Sequence, residues 1–294
     1  MIKQIVAVLL LFCTLYAGSK EPIDYPRGYL LAYNNLADAA TLRIAFTRIM
    51  DRYAARYNIR LHLSYFTDPK KAVSAFKRNK IWTLGAMGRF WALDGSTIIR
   101  RSGLCFISAR QVGTPYSTFV LLGQRGGPKH LTKGASVTIP TSRDNAEIYL
   151  KHYTLEHFEK LPETIVSVHR CRNSRIALYD LFFGQTEFAI VPAESLKLAE
   201  EMNPQITSKI KVIDRSPSVM IYAASCTSDQ LPKNLLDTLR QANTAVKRSV
   251  EGREIMDMLQ ISRQWEADAS MFRPYLEYIQ ETEAMAKKAE RKKR

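Results

Sequence analysis

The sequence predicts two α/β lobes joined by two chain crossings, and three observations carry that prediction. Short apolar runs alternate with stretches of helical periodicity along the chain, the pattern of mainly parallel sheets with helices on both faces. The length, 294 residues, exceeds one small core and suits two lobes of ordinary size. Two strand-like segments, one starting at Tyr116 and one over Val219 to Ala224, open and close a fresh αβ series in the middle of the chain. Two such crossings make a hinge, so a first lobe built from residues 20–115 and 218–294 would face a second built from residues 116–217.

The first lobe opens with a strand at Gly28 to Tyr33, closed by the turn-forming Asn34-Asn35. A helix follows over Asp38 to Tyr57, where Leu42, Phe46, Ile49, Met50 and Tyr53 recur at three-to-four spacing and form one buried stripe. Ile59 to Phe66 alternates with period two and reads as a strand. Asp68-Pro69 then starts a helix carrying Val73 and Phe76, with Asp68 as N-cap and Pro69 at the first helical position. Strands at Ile81 to Ala86 and Leu104 to Ala109 complete this half. The second lobe reads as strands at Tyr116–Gly123, Ser136–Ile139, Thr164–Val168, Glu187–Val191 and Ile210–Ile213. Its helices run from Arg143 to Phe158, from Ser174 to Phe183, and onward from Ala193. Helices beginning at Leu235, Arg253 and Met271 are expected to pack back on the first lobe.

Composition narrows the class. The chain is 46% hydrophobic and 24% charged, values of a packed globular protein rather than a disordered one. Met1-Ile2-Lys3 followed by the apolar run Ile5 to Tyr16 and the small residues Ala17-Gly18-Ser19 has the length and flanks of a signal peptide, residues 1–19, and predicts a periplasmic protein. Phe12 before Cys13 argues against lipidation. Cys105, Cys171 and Cys226 lack the paired short spacing of zinc sites; at most one disulfide can form, and a core or free-thiol role is the expectation for each. The five histidines share no metal spacing, and no phosphate loop, nucleophile elbow or cysteine-histidine signature is present, so no cofactor, metal or catalysis is expected. The formal charge of +15 is scattered, apart from a net +5 in the last eight residues. It lacks the aromatic interleaving of nucleic-acid modules, so no nucleic acid is expected, but it suits the attraction of a small anion.

Several segments resemble the phosphate, phosphite and phosphonate binding proteins of ABC importers, on the type II periplasmic-binding fold. They are Asp68-Pro69-Lys70-Lys71-Ala72-Val73-Ser74-Ala75-Phe76-Lys77, the stretch Leu178 to Val191, and Ile213-Asp214-Arg215-Ser216-Pro217 before the return crossing. The resemblance implies a monomeric clamp that closes on a small anionic ligand and presents it to a membrane permease, or alternatively to a sensor kinase. Enzymes on a similar fold are a further alternative that the export signal disfavours. The family carries a Ser-Thr-Ser-Gly-Tyr-like run at the second lobe's first helix and Gly-Ser-His at the next helix. This chain has Pro140-Thr141-Ser142-Arg143-Asp144-Asn145 and Asn173-Ser174-Arg175 there.

Eight residues are candidates for ligand contact. Thr141 and Ser142 precede a helix, where unpaired amides and the dipole favour anions, although Thr141-x-x-Asp144 also fits plain capping. Arg143 and Arg175, at two helix starts, could grip a carboxylate or phosphate with a planar guanidinium, and Ser174 occupies the family's serine position. Tyr33, at the end of the first strand, and Trp91, after the third, lie at strand C-termini, where open α/β sheets bind ligands, with core packing as the competing role. Glu194 also follows a strand and could read a cationic group, or lie on the surface.

Overall fold

A computed structural model describes residues 23–25, 40–66, 68–110, 113–140 and 144–292. The first part runs β1 (Ile23–Tyr25), α1 (Ala40–Ala55), β2 (Ile59–Leu61), α2 (Pro69–Lys77), β3 (Thr83–Met87), a short 3-10 turn, α3 (Trp91–Arg100) and β4 (Ser102–Ala109). The middle part runs β5 (Tyr116–Ser117), β6 (Phe119–Gln124), β7 (Ser136–Pro140), α4 (Asp144–Phe158), β8 (Ser167–Cys171), α5 (Ser174–Phe182), β9 (Phe188–Pro192), α6 (Ala193–Met202), α7 (Gln205–Lys209) and β10 (Ile210–Arg215). The chain ends through β11 (Met220–Ile221), β12 (Ala223–Ser228), α8 (Lys233–Ala245), α9 (Val250–Met258), β13 (Arg263–Ala267) and α10 (Ala269–Arg291). The strand expected at Gly28 to Tyr33 lies outside the described residues.

Local chemistry explains the better-anticipated elements. Phe46 and Tyr53 of α1 point into a core with Val246, Ile255 and Met256, as the stripe requires. Asp68 caps α2 by accepting the Lys70 N–H at 2.9 Å, with Pro69 behind it and Val73 and Phe76 buried. The strand anticipated over Ile59 to Phe66 is shorter, three residues pairing in parallel with β1.

Two sheets dominate. The middle part forms a five-stranded sheet in the order β10, β6, β9, β7, β8, with β7 parallel to both β8 and β9. Its side chains alternate between two cores: Phe119, Leu121, Phe188 and Ile190 face α4, whereas Val120, Leu122, Ala189 and Val191 face α5 and α6. The outer parts form a four-stranded sheet in the order β13, β4, β12, β3. Here the structure differs from the mainly parallel expectation: the return strand β12 inserts between β3 and β4 and runs antiparallel to both.

The crossings lie side by side, β5 pairing antiparallel with β11 through Ser117 opposite Met220 and Tyr116 opposite Ile221. At their mouth Ser216 and Phe119 exchange hydrogen bonds, Ser216 N–H to the Phe119 carbonyl at 2.8 Å and Phe119 N–H to Ser216 Oγ at 2.9 Å.

Two expectations are corrected. Cys105 and Cys226, expected as core or free thiols, form a disulfide, because the β4–β12 register sets them directly opposite with 4.1 Å between Cα atoms. Cys171 forms no disulfide among the described residues, and its Sγ donates to the Asn173 carbonyl at 3.2 Å. The last helix, expected on the first lobe, packs on both. Near its start Phe272 meets Trp91, ring centres 5.5 Å apart; further on, His152 of α4 stacks on Tyr278 with Nδ1 2.9 Å from Thr282 Oγ. Lys151 also pairs with Glu283 at 2.7 Å. A single apolar core therefore continues from α3 through Phe272, Tyr275 and Ile279 of α10 to Tyr149 of α4 and the sheet behind it.

Candidate functional site

In the five-stranded sheet the parallel strands end level, Pro140 of β7 standing opposite Cys171 of β8, and each runs directly toward a helix on that edge. One rim thus collects the starts of α4, α5 and α6, where partly unpaired amides and helix dipoles favour negative charge. Asn173 caps α5 by accepting the Ile176 N–H at 3.0 Å. This turns Ser174 inward: it is only 7% exposed, and its hydroxyl has no hydrogen-bond partner among the described residues. Arg175 beside it is exposed, and Glu194 is half-buried in the first turn of α6.

The opposing rim belongs to the four-stranded sheet. Because β3 and β4 both run antiparallel to β12, their C-termini reach the same level, Ala223 lying opposite Met87 on one side and Ser108 on the other. Arg110 follows β4 there, its guanidinium 5.0 Å from the centre of the Tyr222 ring, within cation–π range. Its Nε is buried without a hydrogen-bond partner among the described residues. Tyr222 is fixed in turn by donating its hydroxyl to the Leu259 carbonyl at 3.0 Å.

The rims touch at Asn145. Its Nδ2 donates to the Ile221 carbonyl at 2.8 Å, and its Oδ1 accepts the Tyr275 hydroxyl at 2.8 Å. Gly88, after β3, closes against the same amide so tightly that a Cβ there would stand 2.3 Å from Oδ1. Only glycine allows this approach.

Of the eight anticipated contacts, Tyr33, Thr141, Ser142 and Arg143 lie outside the described residues. The structure brings Ser174, Arg175 and Glu194 to one rim. Trp91 takes the competing role: it is fully buried, donates Nε1 to the Ala86 carbonyl at 3.3 Å, and packs on Phe90 and Phe272. Arg110, Tyr222 and Asn145 were not anticipated. Arg110 could have been, since it directly follows the strand recognised at Leu104 to Ala109. Asn145 could not, because its partners lie 76 and 130 positions away.

Burial and neighbouring charges shift the ionisation of two nearby groups. Burial pushes the Cys171 thiol up, so at neutral pH it stays protonated and a poor nucleophile. Burial, then the Asp214 carboxylate that accepts its hydroxyl at 2.6 Å, raises Tyr149 well beyond the usual phenol range. Among the described residues no cluster of three His, Cys, Asp or Glu side chains could hold a metal, and no helix is long and apolar enough to cross a membrane.

Comparison with known proteins agrees with this geometry. A binding protein component of an ABC phosphonate transporter from Pseudomonas aeruginosa superposes with a TM-score of 0.58 at 12% identity, over 89% of this chain and 87% of that one. A Prochlorococcus marinus protein solved with methylphosphonate gives 0.58 at 10% identity, over 89% and 98%. A Xanthomonas citri protein solved with ATP gives 0.60 at 10% identity, over 87% and 96%. These likenesses establish the type II periplasmic-binding fold. No curated protein matches the chain. Over residues 36–272 the sequence matches the family model described as the periplasmic substrate-binding protein of a phosphonate ABC transporter, a family of transport receptors rather than enzymes. The chain belongs to the periplasmic substrate-binding proteins of phosphonate ABC transporters.

Proposed function

We propose that this protein captures a small phosphorus oxyanion, of the phosphonate or phosphate class, between the two rims and delivers it to a membrane permease. Residues 1–19 would direct export, and the two lobes would comprise residues 20–115 with 218–294, and 116–217. The observation that carries this reading is the pair of buried, unpartnered donors on opposite rims: the Ser174 hydroxyl at the start of α5 and Nε of Arg110 after β4. Leaving a buried donor unpaired costs about 1–3 kcal/mol, a cost that a bound oxyanion removes by accepting both hydrogen bonds. Both groups suit it: a guanidinium grips phosphoryl oxygens bidentately, and a helix start adds a favourable dipole. Tyr222 holds the guanidinium flat and limits the entropy lost on binding.

The test is a thermal-shift and calorimetry series against methylphosphonate, phosphate, phosphite, sulfonates and carboxylates. A ligand at about 100 times its dissociation constant adds about 2.7 kcal/mol of stability. Arg110→Ala and Ser174→Ala should each weaken the best ligand by about 1–3 kcal/mol, roughly 5- to 150-fold, with folding retained. Affinity unchanged in both variants, or binding confined to the sulfonates and carboxylates, overturns the proposal.

A further inference from the structure

The end of the second lobe opposite the rim is built from the C-termini of α5 and α6, from α7, from the β6–β7 loop over residues 125–135 and from the start of β10. Four contacts join these segments. Lys209 Nζ lies 4.4 Å from the centre of the Phe182 ring, and Gln124 Nε2 donates to the Leu181 carbonyl at 3.0 Å. Arg125 N–H donates to the Lys209 carbonyl at 2.7 Å, and Lys211 Nζ donates to the Gly127 carbonyl at 2.9 Å.

Large apolar side chains stand out from this end, Phe183 at 69% and Met202 at 73% exposure, with the exposed Tyr179 and Leu198 one turn earlier on the same helices. Phe183 meets Phe182 edge-on, the rings at 90°, and Tyr179 at a tilt, ring centres 6.2 Å apart. Around them Arg125, Lys129, Lys133 and Lys209 are exposed, and the loop over residues 125–135 contains no carboxylate. The last turns of α10 reach the same end, because Lys292 pairs with Glu159 at the close of α4; they add the exposed Lys287, Lys288 and Arg291. The opposing charges of Glu200 and Glu201 precede Met202.

Exposed apolar side chains among lysines and arginines match a lipid interface, where apolar groups enter the headgroup boundary and cations meet anionic headgroups. A receptor that serves a membrane transporter also works within reach of a bilayer. We propose that this pole docks on the surface of an anionic phospholipid bilayer, with Phe183 and Met202 in the headgroup layer, leaving the opposite rim free for ligand.

The test is co-sedimentation of the full chain with vesicles of phosphatidylcholine alone and with vesicles in which about a third of the lipid is phosphatidylglycerol. The apolar run near the N-terminus should act alike on both, so the ratio is the readout. Binding should favour the anionic vesicles and fall steeply as salt rises. Because each cation near the surface is worth about 1 kcal/mol, roughly fivefold, Lys129→Gln, Lys133→Gln and Lys209→Gln combined should reduce the preference by roughly 100-fold. Phe183→Ala with Met202→Ala, at exposed positions that leave the core intact, should weaken binding to anionic vesicles further. Ligand affinity should not change in any of these variants. Equal binding to both vesicles, a preference untouched by the lysine variants, or stronger retention on DNA than on anionic vesicles at the same salt overturns the proposal.

Discussion

Replacing Asn145 by alanine removes the one side chain, among the described residues, that bonds α4 both to the crossing strand β11 and to α10. Two buried hydrogen bonds are lost, those to the Ile221 carbonyl and from the Tyr275 hydroxyl. Each contributes about 1 kcal/mol net, and the groups left behind bear a desolvation penalty that alanine cannot relieve. Tyr275 is fully buried, so water does not readily replace the amide. The expected loss is about 3 kcal/mol in all. At about 2–4 °C per kcal/mol for a chain of this size, the melting temperature should fall by roughly 6–12 °C. Urea unfolding followed by tryptophan fluorescence suits the measurement, since Trp91 is buried where α10 packs on α3. Tyr275→Phe and the double variant complete a cycle whose coupling should be about 0.5–3 kcal/mol. A loss under about 1 kcal/mol, or strict additivity with Tyr275→Phe, would refute the idea that Asn145 bolts the rims together.

Removing the disulfide with Cys105→Ala and Cys226→Ala frees a loop of 121 residues, and loop-closure entropy puts the loss at about 5 kcal/mol, readable as a lower urea midpoint. Burial lowers the pKa of His152 from its ordinary 6.5, against weaker opposing pulls from Glu281 and Glu156 and a small lowering from His157. The unfolded chain then binds the proton more tightly, so this histidine should withdraw stability as pH falls from about 7 through its lowered pKa. Melting curves across that window should be flatter for His152→Gln, and an identical pH slope in both proteins contradicts the assignment. At Gly252 an added Cβ would stand 1.8 Å from the Val246 carbonyl oxygen, a backbone atom, so Gly252→Ala should cost about 1–3 kcal/mol. A variant as stable as the parent would show that the turn into α9 is soft.

Where the sequence could be read, local signals were strong and unopposed. The Asp68-Pro69 helix start and the apolar runs that become β6 and β9 are of this kind, and the structure contains them. Thr164 to Val168 was anticipated as a strand, but residues 162–164 form a 3-10 turn opened by Pro162, so β8 begins at Ser167. Helix α3 went unseen because Gly95 sits within it, at a position where an added Cβ would lie 3.0 Å from Leu276. Strand β13 went unseen because Arg263-Gln264-Trp265-Glu266 is a polar edge segment, held by its ladder to β4 rather than by apolar alternation. The disulfide and the Asn145 bolt depend on strand register and helix packing between distant segments, which no local pattern records. The candidate site was legible to the extent that helix starts and strand ends mark it. Arg175 and Glu194 came from that rule, Ser174 from the family's serine position, and Arg110 satisfies the rule too.

The Cys105–Cys226 bond joins the last strand before the chain leaves the first sheet to the first full strand after it returns, so everything between is a covalently closed ring. A protease that cuts once within that ring, for instance at the exposed Gly126, cannot release a fragment. The nicked molecule would migrate as one species without reductant and as two with it. Its broken ends would stay tethered at high effective concentration, free to re-form the same lobe after unfolding.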